Sequence, residues 1–174
     1  LTITKDLGFT KSVIHPAAIR EEKGIILFDA GYPGQADDIE QALAEIGATV
    51  ADITVIVLSH HDHDHIGSLA ELKRRNPKIK VISGAKEADY ISGKKTSLRL
   101  LQALEYNKSL TGDEKEFGER FARYLETVEH CPIDDVVHDL DYVCDGVRVI
   151  GTPGHTPGHI SLLLEEEKLL LAGD

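Results

Sequence analysis

Apolar residues in this sequence follow two rhythms. Unbroken runs, Ile25-Ile26-Leu27-Phe28 and Val55-Ile56-Val57-Leu58, are each followed directly by polar residues, as in strands buried on both faces. The segment from Ser12 through Val13 and Ile14 to Ile19, and the segment Ile79 to Ile82, read as further strands. Between them the period changes. From Gln35 to Ile46 the residues Ile39, Leu43 and Ile46 recur at helical spacing, and Gly47 ends the helix. A helix through Leu69 and Leu72 stops at Asn76-Pro77, and a short one spans Ala85 to Ile91. The first half therefore predicts a β-α-β-α-β order with parallel crossovers.

Residues 92–130 differ. Leu98, Leu101 and Leu104, then Phe117, Phe121, Tyr124 and Leu125, recur at helical spacings with charges between, which predicts a helical insertion or cap. Beyond it, Val136-Val137, Tyr142-Val143, Val147 to Ile150, Ile160 to Leu164 and Leu169 to Leu171 are short strands joined by tight turns such as Asp145-Gly146, an antiparallel pattern. The whole reads as a single domain over 1–174, with two half-sheets facing each other.

Composition narrows the function classes. A chain of 174 residues, 41% hydrophobic and 28% charged, can bury a core, and its net charge of −11 disfavours grasping a phosphate backbone, so no nucleic-acid partner is expected. No apolar run approaches a membrane span and no basic-then-apolar leader opens the chain; a cytoplasmic protein with no membrane partner is expected. Cys131 and Cys144 are too few for a disulfide framework and read as inert thiols. Met is absent, position 1 included, as expected of a segment that begins inside a longer chain.

The chemistry concentrates behind strands. Ser59-His60-His61-Asp62-His63-Asp64-His65-Ile66-Gly67 packs four histidines and two carboxylates into six positions directly after Leu58. Folding has no use for that density, whereas imidazole and carboxylate together bind Zn²⁺, Mn²⁺ or iron, and a cation makes crowded carboxylates tolerable. Gly151-Thr152-Pro153-Gly154-His155-Thr156-Pro157-Gly158-His159 follows another strand; its glycines and prolines impose an unusual path that carries two histidines. A third strand ends in Gly173-Asp174. His15, His130 and His138 stand alone, and Tyr32, Tyr90 and Tyr106 suit packing better than a pocket wall.

In order, Asp29-Ala30-Gly31, Ser59 to His65, Thr152 to His159 and Gly173-Asp174 resemble the metallo-β-lactamase-fold hydrolase superfamily, and the Thr-Pro-Gly-His loop is most similar to its lactonase and thioesterase-like members. The resemblance covers nearly the whole chain and implies an αβ/βα four-layer sandwich with two divalent ions, zinc, iron or manganese. It assigns His60, position 62 and His155 to one ion, and Asp64, His65 and Asp174 to the other, with Asp174 bridging. Two departures stand out. Position 62 is Asp where the family has His, which shifts metal preference toward Mn²⁺ or iron while leaving Zn²⁺ open, and His61 or His63 could be recruited in its place. The family's final His has no counterpart, so the domain is expected to be truncated at its C-terminus or one ligand short.

The implied chemistry is attack by a metal-activated hydroxide on a small ester, thioester or lactone, with Asp64 orienting the hydroxide or taking its proton as the catalytic residue. Asp29 is expected behind the ligands, holding a loop or a ligand imidazole, although a plain turn residue is the simpler reading. His159 is expected to support the site, with direct ligation as the alternative. Two other readings remain open: a metal-dependent phosphodiesterase or nuclease-like hydrolase, and a diiron redox or oxygen-binding protein, since flavodiiron proteins of this fold also carry a carboxylate at the second motif position.

Overall fold

The structure, a computed structural model, describes residues 1–6, 8 and 11–174. Strands β3 (Ala17–Glu21), β4 (Gly24–Phe28), β5 (Ile53–Leu58), β6 (Lys80–Gly84) and β7 (Asp135–Val137) form one sheet in that spatial order. Its β3–β4 pair is antiparallel and the remaining pairs are parallel, with Leu27 beside Ile56 and Val57 beside Ile82. Strands β8 (Tyr142–Cys144), β9 (Val147–Gly151), β10 (Ile160–Leu164) and β11 (Leu169–Leu171) form a second, wholly antiparallel sheet. A separate hairpin pairs β1 (Ile3–Asp6) with β2 (Lys11–Ile14).

Alternation along each strand explains why the central runs are unbroken. Ile26, Phe28, Val57 and Ile82 face the second sheet and pack on Val147, Val149, Ile160 and Leu162. Their neighbours Ile25, Leu27, Ile56, Leu58 and Val81 face the other way, into a core with helices α1 (Ala36–Glu45) and α3 (Leu69–Arg75). With apolar partners on both faces, the central strands have no polar position to spare. Ile39 and Leu43 of α1, and Leu69 and Leu72 of α3, are fully buried at the spacings the sequence pattern predicts. Among the described residues, none from a helix enters the core between the sheets. Helices, first sheet and second sheet thus stack as successive layers of the expected αβ/βα sandwich, and Arg148 and Ile150 on the far face of the second sheet stay half-exposed.

Three elements depart from expectation. The segment 12–19 is not one strand: β2 ends at Ile14 and pairs with β1, while β3 begins at Ala17 and pairs with β4. Pro16 between them has no N–H for a ladder and a fixed φ, so the chain changes partner there. The helix expected over 85–91 is confined to α4 (Ala88–Ile91), because the N–H of Glu87 first closes a turn on the carbonyl of Gly84 at 2.9 Å. In the histidine-rich loop, residues His63–Ile66 wind into one helical turn, α2. Beyond α4 come two helices, α5 (Leu98–Asn107) and α6 (Gly112–Glu126), which pack against each other.

Candidate metal centre

Parallel strands end on a common edge, and here that edge gathers the chemistry. Asp29 follows β4, residues 59–65 follow β5, and the loop 152–159 joins β9 to β10. The two sheets are tied at this edge by the N–H of Ile160, which donates to the carbonyl of Ser59 at 3.0 Å. Asp174 arrives just after β11.

Side chains from these four segments converge in two overlapping groups. Ligating atoms of His60, Asp62 and His155 lie within 4.8 Å of one another, and so do those of His60, His65 and Asp174. Asp62 Oδ2 is 3.0 Å from His155 Nε2 and 3.8 Å from His60 Nε2. Asp174 spans the two groups, with Oδ1 3.2 Å from His65 Nε2 and Oδ2 3.7 Å from His155 Nε2. Asp64 stands at the margin: its Oδ2 lies 3.8 Å from His65 Nε2, outside both groups. A cleft of about 470 Å³ opens beside Asp64, His65 and Asp174, walled by Ile14, Phe28 and Leu171.

One atom tests whether a cation fits. His60 is fully buried, and among the described residues its Nε2 has no hydrogen-bond partner. A buried imidazole nitrogen without a partner is costly unless something outside the protein's own atoms accepts its lone pair. Burial, reinforced by the neighbouring His65, drives its pKa down to about 2, so the ring is neutral, the form a metal binds. A neutral imidazole facing two carboxylates and two further imidazoles is a donor set suited to Zn²⁺, Mn²⁺ or iron.

The supporting groups are as organised as the cluster. Asp29 takes a left-handed backbone conformation (φ 66°), uncommon for a residue with a side chain, and its buried carboxylate accepts from the N–H of Ser59 at 2.8 Å and from its hydroxyl. The same carboxylate accepts from His65 Nδ1 at 2.8 Å, which turns His65 Nε2 toward Asp174. Burial opposes charge on His65, but the hydrogen bond and charge of Asp29, with Asp64 and Asp174, prevail and raise its pKa to about 9. The turn that carries Asp29 lies so close to Gly67 that a Cβ there would sit 2.1 Å from the nitrogen of Pro33, so only glycine permits the approach. His159 is buried with its ring 5.0 Å from that of His60; its Nδ1 is 2.8 Å from Thr152 Oγ1, and its Nε2 accepts from the N–H of Asp174 at 3.3 Å.

His61 and His63 point elsewhere. His61 stacks on Tyr90, makes a very short contact to Glu87 through Nδ1, and accepts from the N–H of Leu98 through Nε2. His63 sits among Tyr32, Phe121 and Tyr124, each edge-on within 6 Å. Two further residues matter here that no motif marked. Glu87, fully buried, accepts from the N–H of His61, from Thr156 Oγ1 at 2.9 Å and from the N–H of Gly158 at 2.7 Å, so one carboxylate joins both histidine-bearing loops. Burial works against its charge, yet the His61 hydrogen bond and the other donors hold its pKa below the usual carboxylate range. Arg99, from the first turn of α5, places Nη2 2.9 Å from Asp62 Oδ2. In the sequence both are ordinary surface-type residues inside helical stretches, with no spacing to link them to loop partners that lie 26 to 71 positions away.

A sheet sandwich with histidines and carboxylates clustered at one edge is the layout of a class of metal-binding proteins. Within that class the chain belongs to the metallo-β-lactamase superfamily, whose family model matches residues 15–174. It is 31% identical over 158 residues to the probable metallo-hydrolase YflN of Bacillus subtilis, covering 88% of this chain and 56% of the relative. It is 32% identical over 130 residues to a hydroxyacylglutathione hydrolase of Photobacterium profundum, covering 74% of this chain and 35% of that protein. Among solved structures, a metallo-beta-lactamase family protein from Thermus thermophilus superposes with a TM-score of 0.73 at 23% identity, over all of this chain and 57% of that one, a likeness of fold. The chain thus spans about half, or less, of the length of these relatives. Among the described residues no helix is long and apolar enough to cross a membrane.

Proposed function

We propose that the protein is a dinuclear metal-dependent hydrolase acting on a small ester, thioester or lactone. The observation that carries this reading is the pair of overlapping His/carboxylate groups that share His60 and are spanned by Asp174, beside an open cleft. His60, Asp62 and His155 would hold one ion; His65 and Asp174 the other, with Asp64 turning in from the margin. When bound, such ions supply water activation near neutral pH and positive charge against a developing oxyanion.

The protein's own groups supply the rest. Asp64, which lines the cleft, would orient the attacking water and accept its proton. Asp29 fixes the His65 ring and its tautomer through the Nδ1 hydrogen bond. His159 fixes the backbone of Asp174, and through it the carboxylate that joins the two sides. The apolar wall of Ile14, Phe28 and Leu171 receives the uncharged part of a small substrate and keeps bulk water from one side of the cleft. Thioesters lead the substrate class because relatives from several bacteria are named hydroxyacylglutathione hydrolases. A net charge of −11 argues against polyanionic phosphodiesters.

The test is a panel of thioesters, esters, lactones and phosphodiesters assayed with metal-reconstituted protein. Turnover of an acyl substrate that disappears on chelation and returns with Zn²⁺, Mn²⁺ or Fe²⁺ supports the reading, and Asp64→Asn should then lower kcat by about a hundredfold or more with little change in KM. Turnover confined to phosphodiesters refutes it in favour of a nuclease-like hydrolase. A visible ferric absorption without hydrolysis favours redox chemistry.

A further inference from the structure

Four carboxylates, Asp29, Asp62, Asp64 and Asp174, crowd this edge, and among the described residues the ion pairs of three of them are with histidines alone. Asp62 is the exception. Its side chain is 6% exposed, and a carboxylate so buried must be paired or hydrogen-bonded. Arg99 pairs with it at 2.9 Å, reaching in from a helix that lies outside both cores, with a side chain 39% exposed and so open to solvent on one side.

The contact falls on a particular atom. Arg99 Nη2 and His155 Nε2 share the same oxygen, Asp62 Oδ2, at 2.9 and 3.0 Å. That is also the oxygen facing His60 Nε2 at 3.8 Å, so it is the atom that a cation held by all three residues would use. Ligand oxygens lie about 2.0–2.2 Å from zinc, which would put a dication and a guanidinium within a few ångströms of each other on one carboxylate oxygen. Like charges at that separation repel strongly in a buried site, and the guanidinium, permanently charged, cannot relieve the repulsion by losing a proton. No permanent charge competes for the second group: the described partners of His65 and Asp174 include no lysine or arginine.

We infer that Arg99 is a resident counter-cation of the His60/Asp62/His155 site: it neutralises Asp62 in the metal-free protein, and a divalent ion must displace it to bind there. The inference rests on the metal-binding reading above and adds to it an order of filling. The His65/Asp174 side loads first, and the Asp62 side loads weakly for as long as Arg99 is present. Arg99 thereby sets the affinity of one site and not of the other.

The experiment is calorimetric titration of chelator-stripped protein with Mn²⁺ and with Zn²⁺, alongside elemental analysis, for the wild type, Arg99→Gln, Arg99→Ala and Arg99→Lys. Wild-type protein should show two unequal binding events. Both neutral variants should tighten the weaker event by about tenfold or more and leave the stronger one unchanged, whereas Arg99→Lys, which keeps the charge, should stay close to wild type. Matching far-UV circular dichroism and thermal midpoints verify the fold of each variant. Unchanged or weakened binding in the neutral variants overturns the inference while leaving the metal sites standing, since a guanidinium that merely aligned Asp62 would give that result. A wild type that binds neither metal overturns the metal-site reading itself, and this inference with it.

Discussion

The two sides of the cluster solve one problem in opposite ways. On one side Asp62 is nearly sealed, 6% exposed, and the fold surrounds it with His60, His155 and a guanidinium. On the other, the ion-pair partners of Asp174 among the described residues are imidazoles alone, His65 and His155. The counter-charge is what separates them. A buried carboxylate must be paired or hydrogen-bonded, and Asp62 takes a permanent cation where Glu87 and Asp29 take histidine, hydroxyl and backbone N–H donors. Burial works to raise the Asp62 carboxyl, yet the hydrogen bond and charge of Arg99, with His60 and His155, hold it below the ordinary carboxylate range. The same requirement explains the depth of support behind each side: Glu87 locks the loops that bear His61 and Thr156, and Asp29 locks His65.

The sharpest way to separate the two sides is to remove Asp62. Asp62→Ala should abolish one equivalent of bound metal by elemental analysis, lower hydrolytic turnover by about a hundredfold or more, and leave the fold intact, because the site sits on a loop edge outside both cores. Two equivalents retained would mean that Asp62 is not a ligand.

Removing the tie between loops should affect both histidine loops together. Glu87→Ala strands buried donors on His61, Thr156 and Gly158 and should cost about 3–5 kcal/mol in urea unfolding. If stability is unchanged, the contacts at Glu87 contribute little to the fold.

Asp29→Asn tests the other side. It replaces the acceptor that fixes His65 and should weaken metal binding there by about 10–100-fold, while the Asp62 side keeps its affinity in calorimetric titration. Equal weakening on both sides would show that the two groups act as one unit.

The smallest effect is with pH. The Glu87 carboxyl titrates below its ordinary value of 4.5 in the folded protein. A carboxylate depressed in this way contributes stability that is complete above the unfolded value and lost as pH falls through the folded one. Wild-type protein should therefore lose stability progressively below about pH 4.5, and Glu87→Gln should flatten that acid limb in urea midpoints taken from pH 7 to pH 3. Parallel acid limbs in the two proteins would assign the loss to other carboxylates.

Much of this molecule can be read from residue order alone, wherever neighbours in sequence are also neighbours in space. The unbroken runs at 25–28 and 55–58 identify strands with apolar layers on both faces, and the ordered motifs from Asp29 to Asp174 identify the superfamily that the family model also finds. The density of His60 to His65 marks a site because no folding requirement produces it. Tertiary structure alone decided the remainder. Pro16 divides an apparent strand between two pairings, a matter of which partner each half finds. His61 and His63 have the same composition and near-identical sequence context as His60, yet face Glu87 and an aromatic cage, because a residue's direction is set by the turn at 63–66 and by what packs against it. Glu87 and Arg99 lie 26 and 37 positions from their partners in the histidine loop, with no motif to connect them. Sequence carries the chemistry a residue offers; only the packed fold brings one buried carboxylate to two loops and one guanidinium to Asp62, since desolvation and charge act across space and not along the chain.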